Sequence, residues 1–279
     1  MPRRWPLPED LTNAVRQHDG TAVTARDAAT VMLLRDGPRG VEVFLLRRVA
    51  TMAFAAGMYV FPGGRVDPRD ADPGLAWAGP SRDEWAAVLG ADAGLAAALT
   101  CAAVRETFEE SGVLLAGEHA DDVVADTTGE DWEADRAGLV DHSVAFADFL
   151  RRRRLVLRTD LLRAWSRWIT PEFEPRRFDA RFFVAALPEG QRARDVGGES
   201  DRVAWLRPAE ALGAFGRGEL RLLPPTAETL YELADHRSVA SVLSAAAHRV
   251  VEPVLPRPRL VEDGAELVLP GDAAYGDLS

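Results

Sequence analysis

The sequence predicts an α/β fold, on three observations. Apolar runs of strand length, Ala28 to Leu34 and Val41 to Arg48, flank the turn Asp36-Gly-Pro-Arg-Gly40. A segment from about Ala93 to Ser111 has the spacing of a helix with one apolar side. Further strand-like runs (Leu162 to Ile169, Arg181 to Leu187, Val203 to Leu206) and helical ones (Asp83 to Leu89, Ser143 to Arg153, Pro208 to Phe215, Thr226 to Ala234, Val239 to Val250) follow in mixed order. With 279 residues and 47% hydrophobic content, the chain can fill a sizeable core.

The long helix carries the chemistry. At about 100° per residue, Glu106, Glu109 and Glu110 share one face, while Cys101, Val104 and Phe108 lie on the other. Arg105 stands beside the acidic stripe, four residues before Glu109. Like charges at these spacings cost about 0.2–0.5 kcal/mol per pair. A solvated face tolerates that, and a hard divalent cation, which prefers carboxylate oxygens, offsets it. Gly112 suits a helix end that needs positive φ. Upstream, the short apolar strand Tyr59-Val-Phe61 stops abruptly at Pro62-Gly63-Gly64.

Together these two stretches resemble the box of the Nudix hydrolases, written G-x5-E-x7-R-E-U-x-E-E-x-G-U with U a bulky apolar residue. Gly64 matches the opening glycine; Arg105, Glu106, Glu109, Glu110, Gly112 and Val113 match the second half. Thr107 replaces the first U, and a long insertion separates the halves. Counted forward from Gly64 the first box Glu falls on Asp70; counted back from Arg105 it falls on Ala97. Asp67 and Asp70 are thus the candidates to replace it. A split box is similar to the branch containing peroxisomal coenzyme A diphosphatases and their bacterial relatives. The likeness extends to Arg48 and Gly57, Trp168-Ile-Thr-Pro171, Arg177-Phe-Asp-Ala-Arg-Phe-Phe183 and Trp205-Leu-Arg-Pro208, roughly residues 28 to 235. Ala53 stands where that branch carries a basic residue four before its glycine.

The resemblance implies an α/β/α sandwich with a mixed sheet, a helical insertion within the box at about 65–91, and additional C-terminal helices. The Nudix domain then spans 25–250, between an N-terminal arm (1–24) expected to be loosely docked and an extension (251–279) expected to form a hairpin centred on Asp263-Gly264. The implied activity is hydrolysis, dependent on Mg2+ or Mn2+, of the diphosphate linkage in a nucleoside diphosphate derivative, with coenzyme A or its thioesters first. ADP-ribose, NADH and dinucleoside polyphosphates are the other substrates, and a nucleotide sensor that binds without cleaving is the alternative. The implied catalytic residues are Arg105, Glu106, Glu109, Glu110 and Glu199, the last from the loop Gly197-Gly-Glu-Ser-Asp201, with Asp201 its rival. Gly64, Glu106, Glu109 and Glu110 are the implied metal ligands. Arg48, Arg176, Arg177 and Arg181 are the implied substrate contacts, since guanidinium forks match phosphate oxygens.

Composition narrows the setting. A formal charge of -11 argues against nonspecific nucleic-acid binding, and no apolar run approaches the roughly 20 residues that span a membrane. The expectation is a cytoplasmic enzyme of a small nucleotide diphosphate, with a homodimer left open. Cys101 has no partner for an internal disulfide, and its position predicts an inert core residue. The five histidines are scattered singly and predict surface or packing roles. Residues 118 to 135 read as a loop or lid. Arg151 to Arg154 suit either a helix C-terminus through its dipole or an anionic substrate tail.

Overall fold

The computed structural model describes residues 3–49, 55–197 and 200–278. In chain order its elements are β1 (Trp5–Pro6), α1 (Glu9–Gln17), β2 (Arg26–Gly37), β3 (Gly40–Arg48), β4 (Tyr59–Val60), β5 (Gly63–Arg65), β6 (Trp77–Ala78), α2 (Arg82–Leu89), α3 (Ala93–Ser111), β7 (Ala116–Gly117), α4 (Glu130–Val140), α5 (Phe146–Arg153), β8 (Val156–Arg158), β9 (Arg163–Ile169), β10 (Phe178–Ala186), β11 (Ser200–Leu206), α6 (Pro208–Gly216), α7 (Pro224–Leu233), α8 (Val239–Ala246), β12 (Pro253–Val254), β13 (Arg257–Val261) and β14 (Gly264–Val268). The main sheet runs β11-β3-β2-β10-β9-β12. Within it, β2–β10 and β9–β12 are parallel and the other neighbours antiparallel, so the expected mixed sheet is present.

The sheet is covered on both faces, which explains why its central strands read as nearly unbroken apolar runs. Along β2, Ala29, Val31 and Leu33 point into a core shared with α2, α3 and α5; Met32 and Leu34 point into a second core shared with α6, α7 and α8. Phe108 of α3 anchors the first core, stacked on Phe149 of α5 at 5.4 Å between ring centroids. This is the expected α/β/α sandwich.

One irregularity positions the site. β2 and β3 are paired only from Leu34↔Val43 to Gly37↔Gly40, and then part. The segment after residue 58 enters the gap: β4 pairs with β3 through Leu46↔Val60, and β5 pairs with β2 through Ala29↔Gly64. The Pro-Gly-Gly turn is thereby delivered to the α3 face of the sheet.

Several local expectations are corrected. Residues 5–17, expected within a loosely docked arm, form β1 and α1. Trp5 pairs with Leu267 and is buried in the second core, where Leu11, Ala14 and Val15 also pack. The polar composition hid an amphipathic turn of helix. Residues 130–135, read as part of a loop, instead begin the helix Glu130–Val140 with an acidic first turn. Val113 and Leu114, apolar enough for a strand, are buried but lie outside any ladder; the Leu115 carbonyl accepts from the Arg158 N–H at 3.0 Å, and Ala116–Gly117 pairs with β8. A side chain takes the place of the neighbouring strand: the Gln191 amide accepts from the Leu114 N–H at 2.8 Å and donates to the carbonyls of Leu114 at 2.8 Å and Val124 at 2.6 Å. Gln191→Leu is therefore expected to orphan two buried backbone groups and one half-buried one, and to cost about 1–3 kcal/mol, read as a lower denaturant midpoint at unchanged slope.

Candidate active site

The site grows from α3. Asp92 caps its first turn by accepting from the Leu95 N–H, and Gly112 ends it at φ 71°, which a side chain would strain. Between those ends the helix is buried almost all round, so its charged residues are enclosed rather than solvated. Arg105 is 6% exposed and Glu109 8%. An acidic stripe so enclosed must be balanced locally.

Arg105 supplies the balance. Its Nε and Nη2 donate to the two oxygens of Asp70 at 2.9 and 3.0 Å, Nη2 also to the Arg65 carbonyl at 2.9 Å, and Nη1 to Glu106 at 2.9 Å and Glu109 at 3.2 Å. Asp67, the other candidate for the missing box Glu, instead pairs with Arg69 at 2.8 Å and caps the single turn Pro68–Ala71, on which Asp70 sits. The Asp67 N–H in turn donates to Asp70. Of the two candidates, Asp70 is the one whose carboxylate the turn brings to Arg105.

The electrostatics follow from this enclosure. Burial pushes the Glu106 carboxyl up to about 7, with Arg105 opposing and Glu109 adding to the rise. Burial likewise raises Glu109 and Asp70, and Arg105 partly offsets both. Burial works against the Arg105 charge, but Glu106, Asp70 and Glu109 outweigh it and hold the guanidinium firmly protonated. Burial raises the Cys101 thiol as well, which fits the inert role expected of it.

Glu110 accepts from the Gly63 N–H at 2.8 Å, tying the turn to the helix. Glu106 lies so close to Gly64 that a Cβ there would sit 2.3–2.6 Å from its carboxyl group. Only glycine fits without moving Glu106. Gly64→Ala should therefore keep the fold, since a flexible carboxylate can yield. The displacement is expected to lower kcat about 10–100-fold, measured beside an unchanged thermal midpoint.

The other predicted residues are placed less uniformly. Arg48 ends β3 on the α3 side of the sheet, level with Ser200, and Arg47 on the opposite side grips Asp201 through bonds of 2.7 and 2.8 Å. Asp201 is thereby held away from α3. Glu199 lies outside the described residues. Arg181, expected to contact the substrate, is 2% exposed and enclosed between Asp27 and Asp179, 2.9 Å from each. Arg177 donates to the carbonyls of Thr170 and Val23, and Arg176 is exposed. Arg151, Arg152 and Arg153 pair with Asp72, Asp148, Asp131 and Asp135, so the run is absorbed by neighbouring acids.

Two supports were missed in the sequence. The Arg65 carbonyl, as a backbone group, leaves no signal. Arg136, buried at 7% exposure, donates to the carbonyls of Glu109 and Val196 and so fastens the segment before residue 198 to the end of α3. Its one sequence signal was a charged residue on the apolar side of a helix inside an acidic stretch.

The donor chemistry suits a hard divalent cation: three carboxylates on one helix face beside a glycine strand whose missing side chain leaves room for Glu106. Among the described residues no three such groups already converge as a cage. Glu106 and Glu109 turn to Arg105, and Glu110 to Gly63.

The chain is similar to known proteins along most of its length. The family described as the NUDT19 Nudix domain matches residues 82–235. The chain is 27% identical over 276 residues to acyl-coenzyme A diphosphatase NUDT19 of Xenopus laevis, covering 84% of this chain and 71% of that one. It is 28% identical over 256 residues to putative nudix hydrolase 7 of Caenorhabditis elegans, covering 90% and 75%. A NUDIX hydrolase from Alicyclobacillus acidocaldarius has a similar structure, with a TM-score of 0.66, 29% identity, and coverage of 80% of this chain and 96% of that one.

Proposed function

The chain belongs to the Nudix hydrolases, in the family of the NUDT19 Nudix domain, and from that premise we propose that it cleaves the diphosphate linkage of coenzyme A and its acyl thioesters. The observation that carries the substrate is the run of relatives named acyl-coenzyme A diphosphatase, at 27–28% identity across most of the chain. The buried cluster around Arg105 supports the chemistry.

Glu106, Glu109 and Glu110, with the Gly64 carbonyl, would hold Mg2+ or Mn2+, which when bound supplies charge neutralisation for the diphosphate and lowers the pKa of a water. Arg105 favours the ionised form of the glutamates against their burial and aims them, and Asp70 keeps Arg105 in place. Glu199, or a box glutamate not taken up by the metal, takes the proton of the attacking water as general base. Arg48, Arg176 and Arg177 grip the diphosphate, with Arg181 supporting them from behind through Asp27 and Asp179.

Product analysis tests this. With Mg2+ or Mn2+ present, coenzyme A should yield adenosine 3',5'-bisphosphate and phosphopantetheine at a higher kcat/KM than ADP-ribose, NADH or a dinucleoside polyphosphate yields its own products. Faster cleavage of another substrate would discard coenzyme A and keep the chemistry.

A further inference from the structure

We propose that Arg26 and Arg65 form a subsite for a phosphate monoester that the substrate carries beside its diphosphate. A cleft of about 320 Å3 opens at the end of β2, lined by Arg26, Asp27, Arg65, Val66 and Pro68. Arg65 pairs directly with Ala28, and Arg26 lies two residues from Ala28 on the same strand. The two arginines are thus diagonal neighbours on one face, with Cβ atoms about 7–8 Å apart or less. Like charges so placed repel, and an anion between them removes the repulsion.

The cleft's charge is not spent within the protein. Both side chains are exposed, and among the described residues neither has a hydrogen-bond or ion-pair partner. The neighbouring arginines differ: Arg69, Arg105, Arg167 and Arg181 are all tied to acids. Asp27, the one acid in the lining, is engaged by Arg181 at 2.9 Å. Arg181 therefore cancels the negative charge and leaves two free guanidinium forks, the geometry that suits a dianionic phosphate.

Position selects which phosphate. Arg65 follows Gly64 by one residue, about 3.4 Å of strand, and its carbonyl accepts from Arg105. Because the missing side chain of Gly64 faces Glu106, Arg65 turns its own away from α3. The subsite is adjacent to the box yet separate from the carboxylates, where a group one ribose away from the diphosphate would lie. The 3'-phosphate of coenzyme A is such a group, and in this the inference rests on the proposed substrate.

Calorimetric titration of the full chain with adenosine 3',5'-bisphosphate and with adenosine 5'-monophosphate tests the subsite without requiring turnover. The wild type should bind the bisphosphate at least about tenfold more tightly, and Arg26→Gln with Arg65→Gln should bring the ratio close to one, each single variant lying between. Both residues are exposed, so the thermal midpoint should stay with the wild type. A wild type that binds both nucleotides equally, or neither, overturns the subsite, as does a preference that survives the double substitution. The outcomes separate from those of the substrate reading: cleavage of coenzyme A without the preference removes the subsite alone, and the preference without cleavage removes the substrate reading alone.

Discussion

Glu109→Gln is expected to lower kcat about 10²–10⁴-fold while the folded protein survives, the largest loss of activity foreseen for any single substitution. Glutamine keeps the volume and one carbonyl oxygen, so the packing of a residue that is 8% exposed changes little. What disappears is a negative charge from a set of three that must offset two or more units of cationic charge. A bound divalent cation contributes several kcal/mol to a transition state of this kind, and each 1.4 kcal/mol is tenfold. Two measurements belong together. Turnover should collapse, and the rise in thermal midpoint expected of the wild type with Mg2+ or Mn2+ should shrink in the variant, because ligand-linked stabilisation follows affinity. Full turnover in the variant would remove Glu109 from the site. A lost midpoint with turnover per folded molecule unchanged would make its role structural.

Much of this site was legible because its residues are contiguous. Arg105, Glu106, Glu109 and Glu110 lie within six positions on one helix, so helical period alone brings them together, and Gly112 marks where the helix stops. The partner of Arg105 was not legible in the same way. Asp70 is 35 residues away, and spacing in a chain with an insertion gives two answers, Asp70 or Ala97, that only the path of the backbone separates. The Pro68–Ala71 turn decides it, by burying Asp70 and leaving Asp67 to Arg69. Strands showed a parallel limit. β2 and β3 announced themselves through apolar runs and a Gly-Pro turn, whereas the place of Leu114 outside any ladder depends on Gln191, a long-range side chain. The arginines proposed to meet the substrate were the least legible. Arg176 and Arg181 look alike in sequence, yet one is exposed and the other enclosed by Asp27 and Asp179, since charge pairing is set by which strands become neighbours.

Arg105→Leu is expected to destabilise the protein by about 3–5 kcal/mol at pH 8, the largest loss of stability among single substitutions at the site. Leucine fills part of the space but leaves Asp70, Glu106 and Glu109 facing one another with no cation, in surroundings where Asp70 is 3% exposed. The effect should depend on pH in a definite direction. In the wild type, burial already raises Glu106 from 4.5 to about 7. Between those values the folded protein retains a proton that the unfolded chain has released, so stability falls as pH rises through the window. Arg105 opposes the rise of all three carboxyls. Without it their folded pKa values climb further, and the loss continues to higher pH. The deficit of Arg105→Leu relative to wild type should thus be small near pH 5, where the buried carboxyls can hold protons, and large near pH 8. Asp70→Asn should cost less than Arg105→Leu at either pH, because Arg105 keeps Glu106 and Glu109 as partners. Denaturant midpoints for the three proteins at both pH values measure this directly. An Arg105→Leu deficit equal at the two pH values would assign the loss to packing, and the guanidinium would then be a space-filling residue rather than the counterion of a buried acidic cluster.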